Sequence, residues 1–308
     1  MNIISKKWWY FVLSGIVIVP GLISLVTYGL RASVDFTGGT LLELQIKNEP
    51  FDKTQGRQLK IKNEDLKKVF TDNKVEVGSI QQSGPDMYLV RAKEIDKNTV
   101  VKIENTVKAK YGNVKEERLE TVGPTVGAET TRKAITAIIV ASLAIICFIA
   151  WAFRTIPKPY SSLKFGICAV AALVHDVLVV TGIFSLLGHF YKVEVDSLFV
   201  TALLTIIGFS VHDTIVVFDR IRENLRKLSG LSFSEIVNDS ILETLARSLS
   251  TTLTVLFTLF ALLLFGGETI RWFVVALLIG IISGTYSSIF NAAPLLVVWE
   301  EMKGKRRK

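Results

Sequence analysis

The sequence predicts an α-helical membrane protein in which six transmembrane helices carry one extracytoplasmic α+β domain of ferredoxin-like order. Three observations carry this. Of the 308 residues 50% are hydrophobic and the mean hydropathy is +0.42, too apolar for an ordinary soluble domain. Six apolar segments, at roughly 9–30, 134–153, 163–188, 196–218, 248–266 and 270–299, reach the length of about 20 residues that a bilayer requires. One polar stretch, about 31–130, shows strand and helix periodicity instead.

The chain therefore divides into a first transmembrane helix (1–30), an extracytoplasmic domain (31–130), a five-helix membrane region (131–300) and a basic cytoplasmic tail (301–308). The first apolar run follows Lys6 and Lys7. It exceeds a signal-peptide core of about 7–15 residues and no small-x-small cleavage site follows, so it reads as an uncleaved anchor.

In the polar stretch, Leu41 to Ile46 reads as a strand, and Asn63 as the cap of a helix with Leu66, Val69 and Phe70 on one face. Val75-Glu76-Val77 and Met87-Tyr88-Leu89-Val90 read as strands joined by a turn at Ser83-Gly84-Pro85-Asp86. Val100, Ile103, Val107 and Tyr111 keep helical spacing, Gly112 suits the helix end, and Val114 to Val122 gives a last strand. The order β-α-β-β-α-β is ferredoxin-like.

The connections between spans set the orientation. Lys6 and Lys7, then Arg154, Lys158 and Lys164, then Arg220, Arg222, Arg226 and Lys227, then Lys303, Lys305, Arg306, Arg307 and Lys308 lie on one side. The opposite short loops are nearly neutral, so both termini are expected in the cytoplasm. Arg220 to Ala246 carries scattered apolar positions, which predicts a cytoplasmic amphipathic segment at 219–246, a helix pair on the membrane surface. The last span contains Pro294, a place for a kink or an early end.

The net charge of +8 does not indicate a nucleic-acid binder, because the basic residues cluster at span ends and no aromatic-basic stripe occurs. Cys147 and Cys168 lie in or beside apolar spans and form no CxxC, so they read as packing residues. No metal or other cofactor is indicated. Only His175, His189 and His212 occur, and no His-Glu-x-x-His.

Two near-identical strings, Val174-His175-Asp176-Val177 and Val211-His212-Asp213-Thr214, put a His-Asp pair inside each of two spans. A carboxylate in hydrocarbon costs roughly 3 kcal/mol on insertion scales, so intramembrane aspartates point to proton or ion movement. Asp213 lies 17 residues from Asp196 at its span's outer end, and Arg247 lies 19 from Gly266. At 1.5 Å per residue these are depths of about 25 and 28 Å, which allows an Asp213–Arg247 pair in the inner half of the bilayer. Protonation of Asp213 would break such a pair; a static pair locking two helices is the alternative. His212 points about 100° away from Asp213 and reads as a relay or a polar interface residue.

Asp176 is about mid-span, and His175 beside it can share or donate a proton; a helix–helix hydrogen bond or a water-lined cavity are the alternatives. Glu243 lies one turn before Arg247 and can pair with it. Gly208, Ser210, Ser248, Thr252 and Gly280-x-x-x-Gly284 read as close-packing positions. Gly38-Gly39, and Gly123-Pro124 with Gly127, read as turns or as hinges between the polar domain and the spans.

The strings Val34-Asp35-Phe36-Thr37-Gly38-Gly39-Thr40, Val122-Gly123-Pro124-Thr125-Val126-Gly127 and Gly208 to Asn224 resemble the SecD/SecF family of protein-export membrane subunits, in order along essentially the whole chain. The resemblance implies a resistance-nodulation-division type membrane fold in which these six spans pair with six from SecD in the bacterial plasma membrane. It implies a late role in export, drawing the emerging unfolded polypeptide outward with the proton motive force. Further implied partners are the SecYEG translocon, SecA and YajC. Asp213 and Arg247 take the places of the family's proton-path residues. The chain departs from the pattern at His212, where an Asn is expected, and at Glu243, where an amide is expected.

Rival functions are weaker. An intramembrane aspartyl protease needs two adjacent carboxyls, but Gly-x-Gly-Asp is absent. A proton-driven small-molecule or lipid exporter would share the fold but normally carries both halves on one chain. A passive scaffold for the translocon differs only in not using protons.

Overall fold

The computed structural model describes residues 2–48, 61–82, 86–154, 156–157, 160–228 and 230–305. The Ser83–Pro85 part of the expected turn, Lys158 and the end of the basic tail lie outside the described residues. The chain forms two compact units, Met1–Arg31 with Ala134–Lys308, and Ala32–Lys133.

The smaller unit contains a short helix α2 (Val34–Thr37), then β1 (Gly39–Asn48), α3 (Asn63–Asp72), β2 (Val77–Gln82), β3 (Met87–Ala92), α4 (Lys97–Tyr111) and β4 (Gly112–Val122). The four strands make one antiparallel sheet in the order β2-β3-β1-β4, the split arrangement that the β-α-β-β-α-β sequence order implies. Alternation sets its core: Leu42, Leu44 and Ile46 on β1 and Tyr88 and Val90 on β3 point to one face. Leu66, Val69 and Phe70 of α3 and Val100, Ile103 and Val107 of α4 cover that face. Asn63 is the first helical residue rather than the cap, which is Lys62. Asn63 instead turns its amide toward the Ile80 carbonyl, 3.4 Å away. β2 begins at Val77, two residues after the expected start, because Lys74 takes a left-handed turn at φ 60° that delays pairing.

Gly38 and Gly39, at φ 72° and 117°, hold a conformation that other residues resist. A Cβ on Gly38 would lie 2.9 Å from the Pro124 Cα, and one on Gly127 would lie 2.8 Å from the Gly38 nitrogen. Gly38, Pro124 and Gly127 thus pack backbone against backbone, while Gly39 faces the Ala92 carbonyl. Gly123 alone opens onto free space.

The larger unit is helical: α1 (Lys7–Tyr28), most of α5 (Pro124–Ala152), α6 (Ser162–Tyr191), α7 (Ser197–Lys227), α8 (Phe233–Phe265), and α9 (Glu268–Ser287) continued by a π-helical turn (Ser288–Ala292) and α10 (Ala293–Lys305). Among the described residues six helices are long and apolar enough to cross a membrane. Helices suit that setting because every backbone group is satisfied within the segment. α6, α7 and the α9–α10 helix bury half or more of their apolar stretches, whereas α1, α5 and α8 bury little of theirs. α1 crosses α6 so closely that a Cβ on Gly21 would stand 2.9 Å from the Gly182 Cα, and Ser24 and Ser185 hydroxyls meet at 2.8 Å beside that crossing.

Two expectations are corrected. The segment 219–246 is not a separate surface helix pair. It forms the continuous ends of α7 and α8, whose Ile221, Val237 and Ile241 join the main core. Pro294 does not end the last span, which continues to Met302. Proline lacks the N–H for an α-helical bond and crowds the carbonyl four residues earlier. Here that neighbourhood is the π turn at Ser288–Ala292, which shifts the hydrogen-bond ladder just ahead of Pro294.

Candidate functional site

Asp176, on α6, is completely buried. An ionised carboxylate offers about four acceptor positions, and here all are used. Oδ1 accepts from Ser283 Oγ at 2.7 Å and pairs with His175 Nδ1 at 2.9 Å. Oδ2 accepts from Ser210 Oγ at 2.5 Å and Ser287 Oγ at 2.7 Å. Three spans therefore converge on this carboxylate: α6, α7 through Ser210, and α9 through Ser283 and Ser287. Gly284 makes room for them, since a Cβ there would fall 3.1 Å from the Ser210 Cβ and 3.6 Å from Asp176 Oδ2.

On its far side, His175 Nε2 lies 3.1 Å from Ser14 Oγ of α1. Ser14 in turn donates to Asn291 Oδ1 at 3.1 Å and accepts from Asn291 Nδ2 at 2.8 Å. Asn291 belongs to the π turn. The expected His175–Asp176 contact is thus present and embedded in a wider polar shell.

Asp213, on α7, is 2% exposed but is held differently. Its one hydrogen bond among the described residues comes from Thr285 Oγ1 at 3.2 Å, and Thr285 is bonded to Thr252 of α8 at 2.7 Å. His212 Nδ1 stays 3.9 Å from Asp213 Oδ1, beyond hydrogen-bond reach. The His212 side chain is 67% exposed, against 11% for His175. Ser248 Oγ on α8 is also buried and without a hydrogen bond among the described residues.

The structure does not form the expected Asp213–Arg247 ion pair. Arg247 is exposed and makes no ion pair among the described residues. The reason is helical phase. Thr244, Ser248 and Thr252 form the buried face of α8, and Thr252 meets Thr285 at the level of Asp213. Arg247 precedes Thr252 by five residues, about 7.5 Å along the axis and about 140° around it. Glu243 does not pair with Arg247 either. It is ion-paired with Arg220 across the α7–α8 contact and accepts from Asn224 Nδ2 at 2.9 Å.

Sequence reasoning missed Ser14, Ser283, Ser287, Thr285 and Asn291. A small polar residue in a span announces either packing or a hydrogen bond, and only the fold distinguishes the two.

Comparison with known proteins agrees along the chain. Residues 102–302 match the family described as protein export membrane protein SecD/SecF, C-terminal, and residues 23–49 match the SecD/SecF GG motif. The protein translocase subunit SecF of Thermobaculum terrenum is 48% identical over 312 residues, covering 97% of this chain and 94% of that one. The SecF subunit of Anaerolinea thermophila is 40% identical, covering 97% and 94%. The crystal structure of SecDF from Thermus, a translocon-associated membrane protein, superposes with a TM-score of 0.81 at 32% identity, over 98% of this chain and 39% of that chain. This chain therefore spans about two fifths of that solved SecDF.

Proposed function

The chain belongs to the SecD/SecF family of protein export membrane proteins, and from that premise we propose that it is the subunit that pairs with SecD to assist export through the Sec translocon, drawing on the proton motive force late in translocation. Fused SecDF relatives, such as that of Bacillus subtilis, 34% identical over 99% of this chain, support SecD as the partner. SecYEG, SecA and YajC are the neighbours this reading places around the pair, and an unfolded polypeptide is the cargo. The setting is the bacterial plasma membrane, both termini cytoplasmic and the ferredoxin-like unit outside.

One observation carries the proton reading. Among the described residues Asp213, buried in a span, has a single hydrogen bond, and Arg247 on the next helix makes no ion pair. A buried carboxylate can shed its charge by taking up a proton. An unpaired arginine within about two helical turns offers the ionised form a partner. A group with two such alternatives can couple a proton to helix movement, and one charge crossing 100 mV releases about 2.3 kcal/mol.

The test is reconstitution with SecD and the translocon in vesicles, following completion of a stalled secretory substrate. Gradient-dependent completion that disappears in Asp213→Asn supports the reading. Completion indifferent to both gradient and mutation overturns it and leaves a passive scaffold.

A further inference from the structure

We propose that His175 and Asp176 form a proton-holding site separate from Asp213, with His175 as the group through which the proton passes. The inference rests on the reading above only for what the proton does in export, not for its binding.

The geometry is directional. Asp176 is fully buried, whereas His175 lines a cleft of about 370 Å³ between α1, α6 and α9, beside Ser14, Ser283 and Tyr286. The cleft meets the carboxylate through two of its bonded neighbours, His175 and Ser283, and of these the imidazole is the one that readily exchanges protons. The two ring nitrogens face opposite ways, Nε2 toward Ser14 and Nδ1 toward Asp176.

Both proton positions are satisfied by the same set of neighbours. With Asp176 ionised, His175 carries its proton on Nδ1 and donates it to Oδ1. Its Nε2 then accepts from the Ser14 hydroxyl, which accepts from Asn291 Nδ2. A proton arriving at Nε2 makes the imidazolium, and the Nδ1 proton passes to Asp176 Oδ1. The imidazole is again neutral, now protonated on Nε2 and donating to Ser14, whose hydroxyl turns to Asn291 Oδ1. Asp176 O–H donates back to Nδ1. One N–H bond forms, another breaks, one O–H bond forms, and the net change is one proton gained by the carboxyl.

Ser14 lies within reach of both the oxygen and the nitrogen of Asn291, which is what the exchange requires. Ser287 has a matching alternative, because its hydroxyl also reaches the Gly284 carbonyl at 3.1 Å when the carboxyl no longer needs a donor. A static helix lock needs neither option.

The groups facing the pair leave the proton few other owners. α1 contributes Ser14, α7 contributes Ser210, α9 contributes Ser283, Ser287 and Tyr286, and the π turn contributes Asn291. Where α10 meets α6, Lys164 and Glu300 are paired with each other.

The test is infrared difference spectroscopy on the full chain in lipid vesicles, titrated from acid to alkaline pH. The expected result is a protonated-carboxyl component that titrates in Asp213→Asn, is missing from the Asp176→Asn/Asp213→Asn double variant and shifts its midpoint in His175→Gln. A double variant whose titrating bands match those of Asp213→Asn overturns the proposal. An unchanged midpoint in His175→Gln removes the histidine from it. Ser14→Ala keeps both titrating groups and covers the case in which Asp176→Asn fails to fold; here too the midpoint must move, and a fixed midpoint overturns the proposal. An Asp176 that titrates while export ignores the gradient supports this site and defeats the proton-driven reading alone.

Discussion

Ser210 on α7 donates its hydroxyl to Asp176 on α6 at 2.5 Å, three residues before the same helix presents Asp213. The two aspartates are therefore neighbours in the helix pair but not in their hydrogen bonding. Aligning the repeated Val-His-Asp strings places Leu173 opposite Ser210. That single difference makes the donation one-way: α7 supplies a hydroxyl to the carboxylate of α6, and α6 supplies an apolar leucine at the matching place. Asp176 ends with a full set of donors and Asp213 with one.

Ser210→Ala and Ser287→Ala should each lower the thermal stability of the full chain. Each removes a donor from a buried carboxylate without replacing it. Bonds to charged groups contribute roughly 1.5–3 kcal/mol in water-soluble proteins and somewhat less in membranes, so about 1–2 kcal/mol is expected per variant. Thermal unfolding in detergent checks this. Values near zero would mean that the serines pack without bonding.

Gly21→Ala should be more damaging than an alanine at Gly15 on the same helix. The first adds a Cβ 2.9 Å from the Gly182 backbone, while Gly15 has nothing within 4 Å. Backbone cannot move aside as a side-chain tip can, so α1 must back away from α6 and strain the Ser24–Ser185 bond. Overpacking of this kind costs about 1–3 kcal/mol. Comparing the unfolding midpoints of the two variants decides it.

The spans and the strand order were legible because each rests on local periodicity, with apolar runs for the helices and alternation for β1 and β3. The His175–Asp176 contact was legible because the residues adjoin in sequence. The serine shell was not: Ser283 and Ser287 stand 107 and 111 residues from Asp176 and reach it only through α6–α9 packing. The Asp213–Arg247 expectation matched depth alone. Depth follows from counting residues, but the facing side of α8 is set by which residues bury, and that face belongs to Ser248 and Thr252. Glu243 was assigned to its own helix because i,i+4 neighbours are visible in sequence, whereas Arg220 across the interface is not.

The ferredoxin-like unit should lose stability as pH rises past the ordinary glutamate range. Burial, and then the adjacent Glu116 carboxyl, raise the Glu104 pKa above its usual 4.5. A carboxyl with a folded pKa above its unfolded value binds protons more readily when folded. Its contribution is therefore favourable below 4.5 and is lost as pH climbs through the raised folded value. Glu104→Gln should flatten that decline and protect α4 and β4 amides at neutral pH. Hydrogen exchange on the full chain at several pH values measures it, and an unchanged pH profile would exclude Glu104 as the cause.

Arg247→Ala should separate stability from coupling. Were Arg247 one half of a buried ion pair, its removal would strand the Asp213 charge and cost about 3–5 kcal/mol. The structure gives it an exposed side chain with no ion pair among the described residues, so its removal strands no buried partner charge and should cost well under that. Thr285→Val is the opposite case. It removes the donor at 3.2 Å from Asp213 Oδ2 and breaks the bond to Thr252, so it should destabilise the chain by about 1–2 kcal/mol. In vesicles with SecD and the translocon, Arg247→Ala should nonetheless abolish gradient-dependent completion of export. The ionised form of Asp213 then has no cation to turn to, and the alternative that makes its protonation matter is gone. A large stability loss in Arg247→Ala would instead identify a static lock between α7 and α8.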